Sequence, residues 1–314
     1  MAQIGYQEII WGDAFGFNYA DIINPKDQRE TFFSDASDAR LPLLLFNGKS
    51  LFSSGDFSGS LQVLFSPEPR FSKTLPLDIF IGNIFPQETL SVSKEKTPKI
   101  FSKTEFGGKI SGSYNGYDMS IFSFSYLDRE PIYAIENLTA TNIALKEEHN
   151  KLKTTGLSFT KTVFDFVLRT DLVYSQNKYI NYLENFELTH FTTNSLDTVI
   201  SLDSPSYNDY SAVLVLARSN LGNIKPNSFR EQTEQYLIGK IAKNLGKERS
   251  LEFSYTHEFE HPGHSIQTFL NWPITNQTEL KIGGEFYFGD EQSNLSKFKK
   301  INSLFFSIKN YFQL

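Results

Sequence analysis

His257-Glu258-Phe259-Glu260-His261 is the run with the most explicit chemical content. On a helix, His-x-x-x-His puts two imidazoles on one face to chelate zinc, and the intervening glutamate activates water for hydrolysis. That chemistry needs the helix. Here His257 continues an alternating extended segment and Pro262-Gly263 follow at once. In an extended chain, residues four apart stand about 13 Å from one another, too far to share one ion. His264 adds a third imidazole, which points to adventitious metal binding at a polar loop. No catalytic, cofactor or resident metal site is expected.

A second set of titratable residues is defined by alternation. From Glu279 to Gly289, Leu280, Ile282, Gly284, Phe286 and Phe288 fall on one face of a strand, and Glu279, Lys281, Gly283, Glu285 and Tyr287 on the other. Leu304, Phe306, Ile308, Phe312 and Leu314 repeat the apolar row against Ser307, Lys309, Tyr311 and Gln313, with Asn310 as a break. Phe164, Phe166, Leu168, Leu172 and Tyr174 likewise oppose Asp165, Arg169 and Asp171. Asp165, Arg169, Asp171, Glu252, Glu279, Lys281, Glu285 and Lys309 would be costly against lipid and natural in a water-filled lumen, so they are the expected pore-lining residues. Their mixed signs imply a transverse field with weak ion selectivity. A solvated face of a soluble sheet is the competing reading.

The elements that carry these residues have a rhythm. Arg249 to Leu314 reads as four strands joined by a polar connector (Glu258 to His264), a tight Thr275-Asn276-Gln277 and a longer Asp290 to Lys300. Long loop, short turn, long loop is the pattern of a transmembrane up-and-down β-barrel. Aromatics near strand ends (Tyr255, Trp272, Phe286, Phe288, Tyr311, Phe312) suit interfacial girdles. A soluble β-sandwich or Greek-key barrel also alternates but buries its apolar face against a second sheet.

Composition narrows the class. Hydrophobic content is 39% and aromatics are 15%, with 30 Phe and 15 Tyr, rich for a soluble domain and expected of a girdled barrel. No apolar run approaches the roughly eighteen residues of a membrane helix. The absence of cysteine excludes a disulfide framework and thiolate metal sites, and a net charge of −6 argues against nucleic acid as a partner. Met1-Ala2-Gln3-Ile4-Gly5-Tyr6 is not a secretory signal, so either a signal was removed or the sequence begins inside the barrel.

In chain order, Ile4 to Trp11 reads as a strand, followed by a long aperiodic loop over 12–40. Its polar set Asp21, Asn24, Asp27, Arg29, Asp38 and Arg40 folds into the lumen as a constriction or plug, or only pins the loop, with pinning the preferred single role. Leu41 to Leu51 and Phe57 to Phe65 flank a Ser53-Ser54-Gly55-Asp56 turn; a proline-containing loop spans 67–104. Phe106 to Tyr114 and Tyr117 to Leu127 flank Asn115-Gly116, and Asp128 to Asn150 is a polar loop. Leu152 to Lys161 pairs with Phe164 to Ser175, and further strands read at Ile180 to His190, Asp197 to Asp203, Tyr210 to Ser219 and Thr233 to Lys243. That makes fifteen, and a closed bacterial barrel needs an even number, so one strand between Tyr179 and Gln232 is missed or over-read and about 14 to 16 are expected.

Trp11-Gly12, Gly16-Phe17, the Asp21-Ile22-Ile23-Asn24-Pro25-Lys26-Asp27 core and Asp38-Ala39-Arg40-Leu41-Pro42-Leu43 resemble an uncharacterised family of proteobacterial outer-membrane β-barrels. Members of that family are commonly encoded near lipid exporters of the resistance-nodulation-division class. The likeness continues through Gly112 to Asp118 and Gly289-Asp290 to Phe312. It implies a signal peptide and further strands before Trp11, and a terminal Phe where this chain has Leu314. It also implies passage of material across the outer membrane, with no catalytic residues to carry over.

The reading is an all-β protein, one outer-membrane barrel over residues 1–314, acting as a porin-like or export channel for passive passage of solutes or lipid-like molecules. Its expected surroundings are outer-membrane lipid and lipopolysaccharide, its transient partner the barrel assembly machinery, and the resemblance adds an export system. Rivals are an outer-membrane barrel enzyme with residues converging at the mouth, a soluble secreted β-protein that binds glycan or protein, and a structural barrel with a packed lumen.

Overall fold

The computed structural model describes residues 1–29, 39–74, 90–138, 143–185, 187–275 and 277–310. Fourteen strands form one antiparallel sheet in sequence order. They are β1 (Ala2–Gln7), β2 (Leu43–Ser54), β3 (Phe57–Ser66), β5 (Glu105–Tyr114), β6 (Tyr117–Leu127), β9 (Lys151–Val163), β10 (Phe166–Glu184), β11 (Glu187–Asp203), β12 (Tyr210–Leu221), β13 (Thr233–Gly246), β14 (Arg249–Glu258), β15 (Gly263–Thr275), β16 (Thr278–Gly289) and β17 (Ser303–Asn310). A second sheet of three strands, β4 (Leu90–Ser93), β7 (Ile132–Leu138) and β8 (Ile143–Glu148), is built from the connectors that the sequence presents as plain loops. Among the described residues β1 pairs only with β2 and β17 only with β16, so the large sheet is open and not a closed barrel.

Turn chemistry sets the antiparallel order. Phe164-Asp165 and Lys247-Glu248 join their strands in two residues with both φ positive (49° and 69°, 50° and 62°), and Asn115-Gly116 does the same at 54° and 76°. Positive φ at both central residues gives the turn whose twist matches that of the flanking strands. The short turns β2–β3, β5–β6, β9–β10, β13–β14 and β15–β16 lie at one end of the sheet, and the long connections β1–β2, β3–β5, β6–β9, β12–β13 and β16–β17 lie at the other, together with the short β10–β11 and β14–β15 connections.

The strand count resolves in the middle of the chain. Ile180 to His190 is not a strand of its own. β10 runs unbroken through 19 residues to Glu184, and Glu187 already begins β11. A bulge between Ser175 and Lys178, with Asn177 at φ 63°, shifts the register and breaks the alternation that a sequence reading follows. β1 also stops at Gln7, short of Trp11, which turns inward.

The two faces have opposite chemistry. Large side chains on one face stay open to the surroundings along its width, among them Met119 at 60%, Leu214 at 53%, Phe253 at 46% and Phe306 at 70% exposed. The other face wraps around residues 8–29. Trp11 is fully buried there, its ring centroid 5.4 Å from Phe122 and 5.8 Å from Phe124, and its Nε1–H donates to Gln62 at 3.0 Å. Ala14 and Phe17 pack with Val199, Val215 and Tyr236 on β11 to β13. One short segment therefore touches strands from β3 to β13, which requires the sheet to curl around it. Gly156 leaves the space on β9 that the Phe122 ring fills.

Candidate functional site

Residues 8–29 are held against the inner face by polar contacts at a few points. Asp171, 1% exposed on β10, accepts from the backbone N–H of Asp13 at 3.2 Å and of Ala14 at 3.0 Å. Gly12 makes that approach possible. Its φ is +94°, and a Cβ there would overlap Ala20 and stand 2.9 Å from the Asp171 carboxylate. Asn24 ties the ends of the segment together: its Oδ1 accepts from Ile9 N–H at 2.8 Å, and its Nδ2 donates to the carbonyls of Gln7 and Leu41 at 2.9 and 3.0 Å. Asp21 is bound by Arg40 at 2.9 Å and Lys26 at 3.3 Å. Asp27 is bound by Arg29 at 2.8 Å and Lys73 at 3.1 Å; the Arg29 hydrogen bond first, and Lys73 with it, holds that carboxyl well below the usual carboxylate range. Asp38 lies outside the described residues. Tyr19 of this segment is half-buried, and burial, then the nearby Asp197 carboxylate, pushes its phenol above the ordinary value.

The expected pore-lining residues fall into three situations. Arg169 pairs with Asp203 at 3.0 Å, and Glu252 with Lys240 at 2.5 Å, both across neighbouring strands of the inner face. Lys281 and Glu285 line an inner cleft of about 350 Å³ with Phe15, Phe17 and Phe269. Glu279 stands opposite Lys309 in the β16–β17 register near the tight-turn end. Asp165 is a correction: it sits in the two-residue β9–β10 turn, not on the wall, because that turn needs a second residue at positive φ. A further cavity of about 600 Å³ towards the tight-turn end is lined by Ser60, Ser111, Ser120, Lys109 and Asp13, a surface of hydroxyls and charges.

Within the His257 to His261 run, His257 and Glu258 end β14 and the other three residues belong to the turn into β15, so the run is not a helix. His257 belongs to β14 and faces outward, its ring stacked 4.9 Å from that of His264 across the β14–β15 pair. Glu258, 1% exposed, points inward and accepts from Ser293 Oγ at 2.7 Å, Asn294 N–H at 3.1 Å, Asn294 Nδ2 at 3.0 Å and Leu295 N–H at 3.1 Å. Its carboxylate secures the β16–β17 loop over the inner face. Among the described residues no three His, Asp or Glu side chains are grouped to hold a metal ion.

Several organising residues carry no motif. Glu105 opens β5 and Arg129 follows β6; their fork-to-fork contacts of 2.8 and 2.7 Å are buried. Asn181 on the bulged extension of β10 binds both backbone groups of Tyr133, which fastens the small sheet to the large one. Asp197 accepts from Ser195 and Ser219 at 3.1 and 2.5 Å. The only sequence signal for this set was a lone charge or amide on an otherwise small or apolar inward row.

With this geometry in view, the chain matches no family model and no curated protein.

Proposed function

We propose that the chain is an outer-membrane β-barrel whose inner face forms a lumen occluded by residues 8–29, and that solute crosses passively when this plug withdraws. The carrying observation is inverted polarity. Leucine, isoleucine and phenylalanine rows stay uncovered on the outer face, while Glu105, Asp171, Asp197, Glu258 and Glu285 are buried on the inner one. A sandwich needs a second large sheet over the apolar face, whereas lipid covers it directly. Cations also sit over aromatic rings at the tight-turn rim: Lys161 over Tyr117 at 3.5 Å, Lys243 over Tyr210 at 4.8 Å and Arg249 over Trp272 at 5.3 Å. Such pairs suit a membrane interface, with the ring at headgroup level and the charge reaching water.

Leu214→Arg tests the lipid face. In a phospholipid bilayer an arginine near the midplane costs about 2–4 kcal/mol, whereas at an exposed soluble position the change stays within about 0.5 kcal/mol. Urea titration of the refolded chain in vesicles measures it, and a neutral result, or native folding without detergent or lipid, would sink the membrane reading.

In a bilayer the free edges of β1 and β17 also need partners. With fourteen antiparallel strands the two run opposite ways, so closure would join them as an antiparallel pair. The chain has no cysteine, so engineered pairs report cleanly. Cysteine at Gly5, combined in turn with cysteine at each of Leu304 to Lys309, should give a disulfide at one register in the inserted protein. Failure at every register would mean that other strands fill the edges.

A further inference from the structure

We infer that the cleft between the plug and β13 to β16 binds a monoanionic amphipath, a molecule with a carboxylate head on an apolar body. The inference goes beyond passive passage and rests on the barrel reading only for the ligand's route, since the cleft exists in the chain itself. Phe15 and Phe17 of the plug, Phe269 of β15, and Phe298 of the β16–β17 loop give it an apolar half. Its polar half is Lys281 and Glu285, successive charged residues on the inward row of β16. At about 350 Å³ the space falls in the range of small-ligand pockets, mostly apolar with a few converging polar groups.

The charges of the lining decide the head group. Lys240 is already taken by Glu252 at 2.5 Å. Lys281 has no carboxylate within ion-pair distance among the described residues; its ammonium lies 4.5 Å from the centroid of the Phe269 ring, at the boundary of the two halves. A carboxylate head accepts from that ammonium while its body lies along the phenylalanines. Glu285, 1% exposed, receives among the described residues one long hydrogen bond, from Tyr287 Oη at 3.4 Å, so its carboxyl retains capacity towards the cleft. A head that shares a proton with Glu285 is accepted, and a dianion is repelled. That selects a carboxylic acid over a phosphate ester. Because two of the four phenylalanine rings belong to the plug, occupancy depends on the plug being docked.

Octanoate is the probe, soluble enough to be titrated calorimetrically into the refolded full chain in non-ionic detergent, with octylammonium as its charge-reversed match. Folding of each variant is checked by the heat-dependent shift in gel mobility. Octanoate should bind saturably with one site per chain and octylammonium should not. Lys281→Met should weaken octanoate by about tenfold or more, the loss of one charge-assisted hydrogen bond, and Lys281→Arg should restore most of it. Equal binding of the two probes, an unchanged affinity in Lys281→Met, or no saturable binding by folded protein would overturn the inference. Detergent-dependent folding without octanoate binding removes the ligand and leaves the barrel. Octanoate binding by a chain that folds without detergent does the reverse.

Discussion

Asp171→Ala should convert a silent protein into one that gives stepwise conductance in planar bilayers. The carboxylate accepts from two successive backbone N–H groups, at 3.2 and 3.0 Å, in a place that water does not reach. Hydrogen bonds to a charged group are worth about 1.5–3 kcal/mol each, and the orphaned donors pay desolvation as well. Against this, alanine removes the cost of burying the carboxylate itself, which offsets part of the gain. A net loss of about 3 kcal/mol would raise the undocked population about a hundredfold. Asp171→Asn keeps an acceptor without the charge and should fall between the two. Gly12→Ala reaches the same end by sterics, because the added Cβ meets Ala20 and comes within 2.9 Å of Asp171, on a backbone at φ +94° that disfavours any side chain. Two unrelated perturbations should therefore open one gate. If both variants fold, insert and remain silent, residues 8–29 are a permanent core and the channel reading fails.

Much of the strand architecture was legible, and the reason is periodicity. The Asn115-Gly116 turn and the alternation through β14 to β16 put the right residues on the right faces, because one face prefers apolar side chains at every second position. The reading failed where period two is broken. The bulge at Ser175 to Lys178 made one long strand look like two, and the fifteenth strand came from it. Asp165 looked like a wall residue because the alternation of β10, run back past Phe166, lands on it, whereas the two-residue turn puts Val163 and Phe166 opposite each other on one face and takes Asp165 out of the row. Trp11 looked like a strand end, yet it is the anchor of the inner core, and nothing local distinguishes a tryptophan that stays in a strand from one that turns away. The open edges could not be read at all. Alternation fixes which face a side chain takes but not which strands meet. The Asp21 to Asp27 stretch stood out as polar and aperiodic; that its groups would bond mainly to one another and to Arg40 and Lys73 depends on segments distant in sequence.

The buried pair of Glu105 and Arg129 is where the largest loss of stability is expected. Arg129 donates to both Glu105 oxygens at 2.8 and 2.7 Å and, with the same two nitrogens, to the carbonyl of Arg70 at 2.9 Å and of Ile23 at 2.7 Å. Glu105 also accepts from Leu127 N–H at 3.1 Å. One guanidinium thus joins the start of β5, the connectors after β3 and β6, and the plug. Arg129→Met leaves the carboxylate buried and uncompensated, at a cost of about 3–5 kcal/mol. Removing both charges should cost less than removing one. Glu105→Leu with Arg129→Met loses the contacts but also the desolvation of two ions, so the double variant should recover much of the single loss. Urea unfolding of the four proteins in vesicles gives the cycle. A single-variant effect below about 1 kcal/mol would place the pair in solvent, like an ordinary surface bridge. A deficit confined to the connectors would appear differently, as proteolysis at the long-loop end while the strands stay inserted. It would mean that the pair orders the mouth and the plug, while the sheet stands on its own ladder of hydrogen bonds.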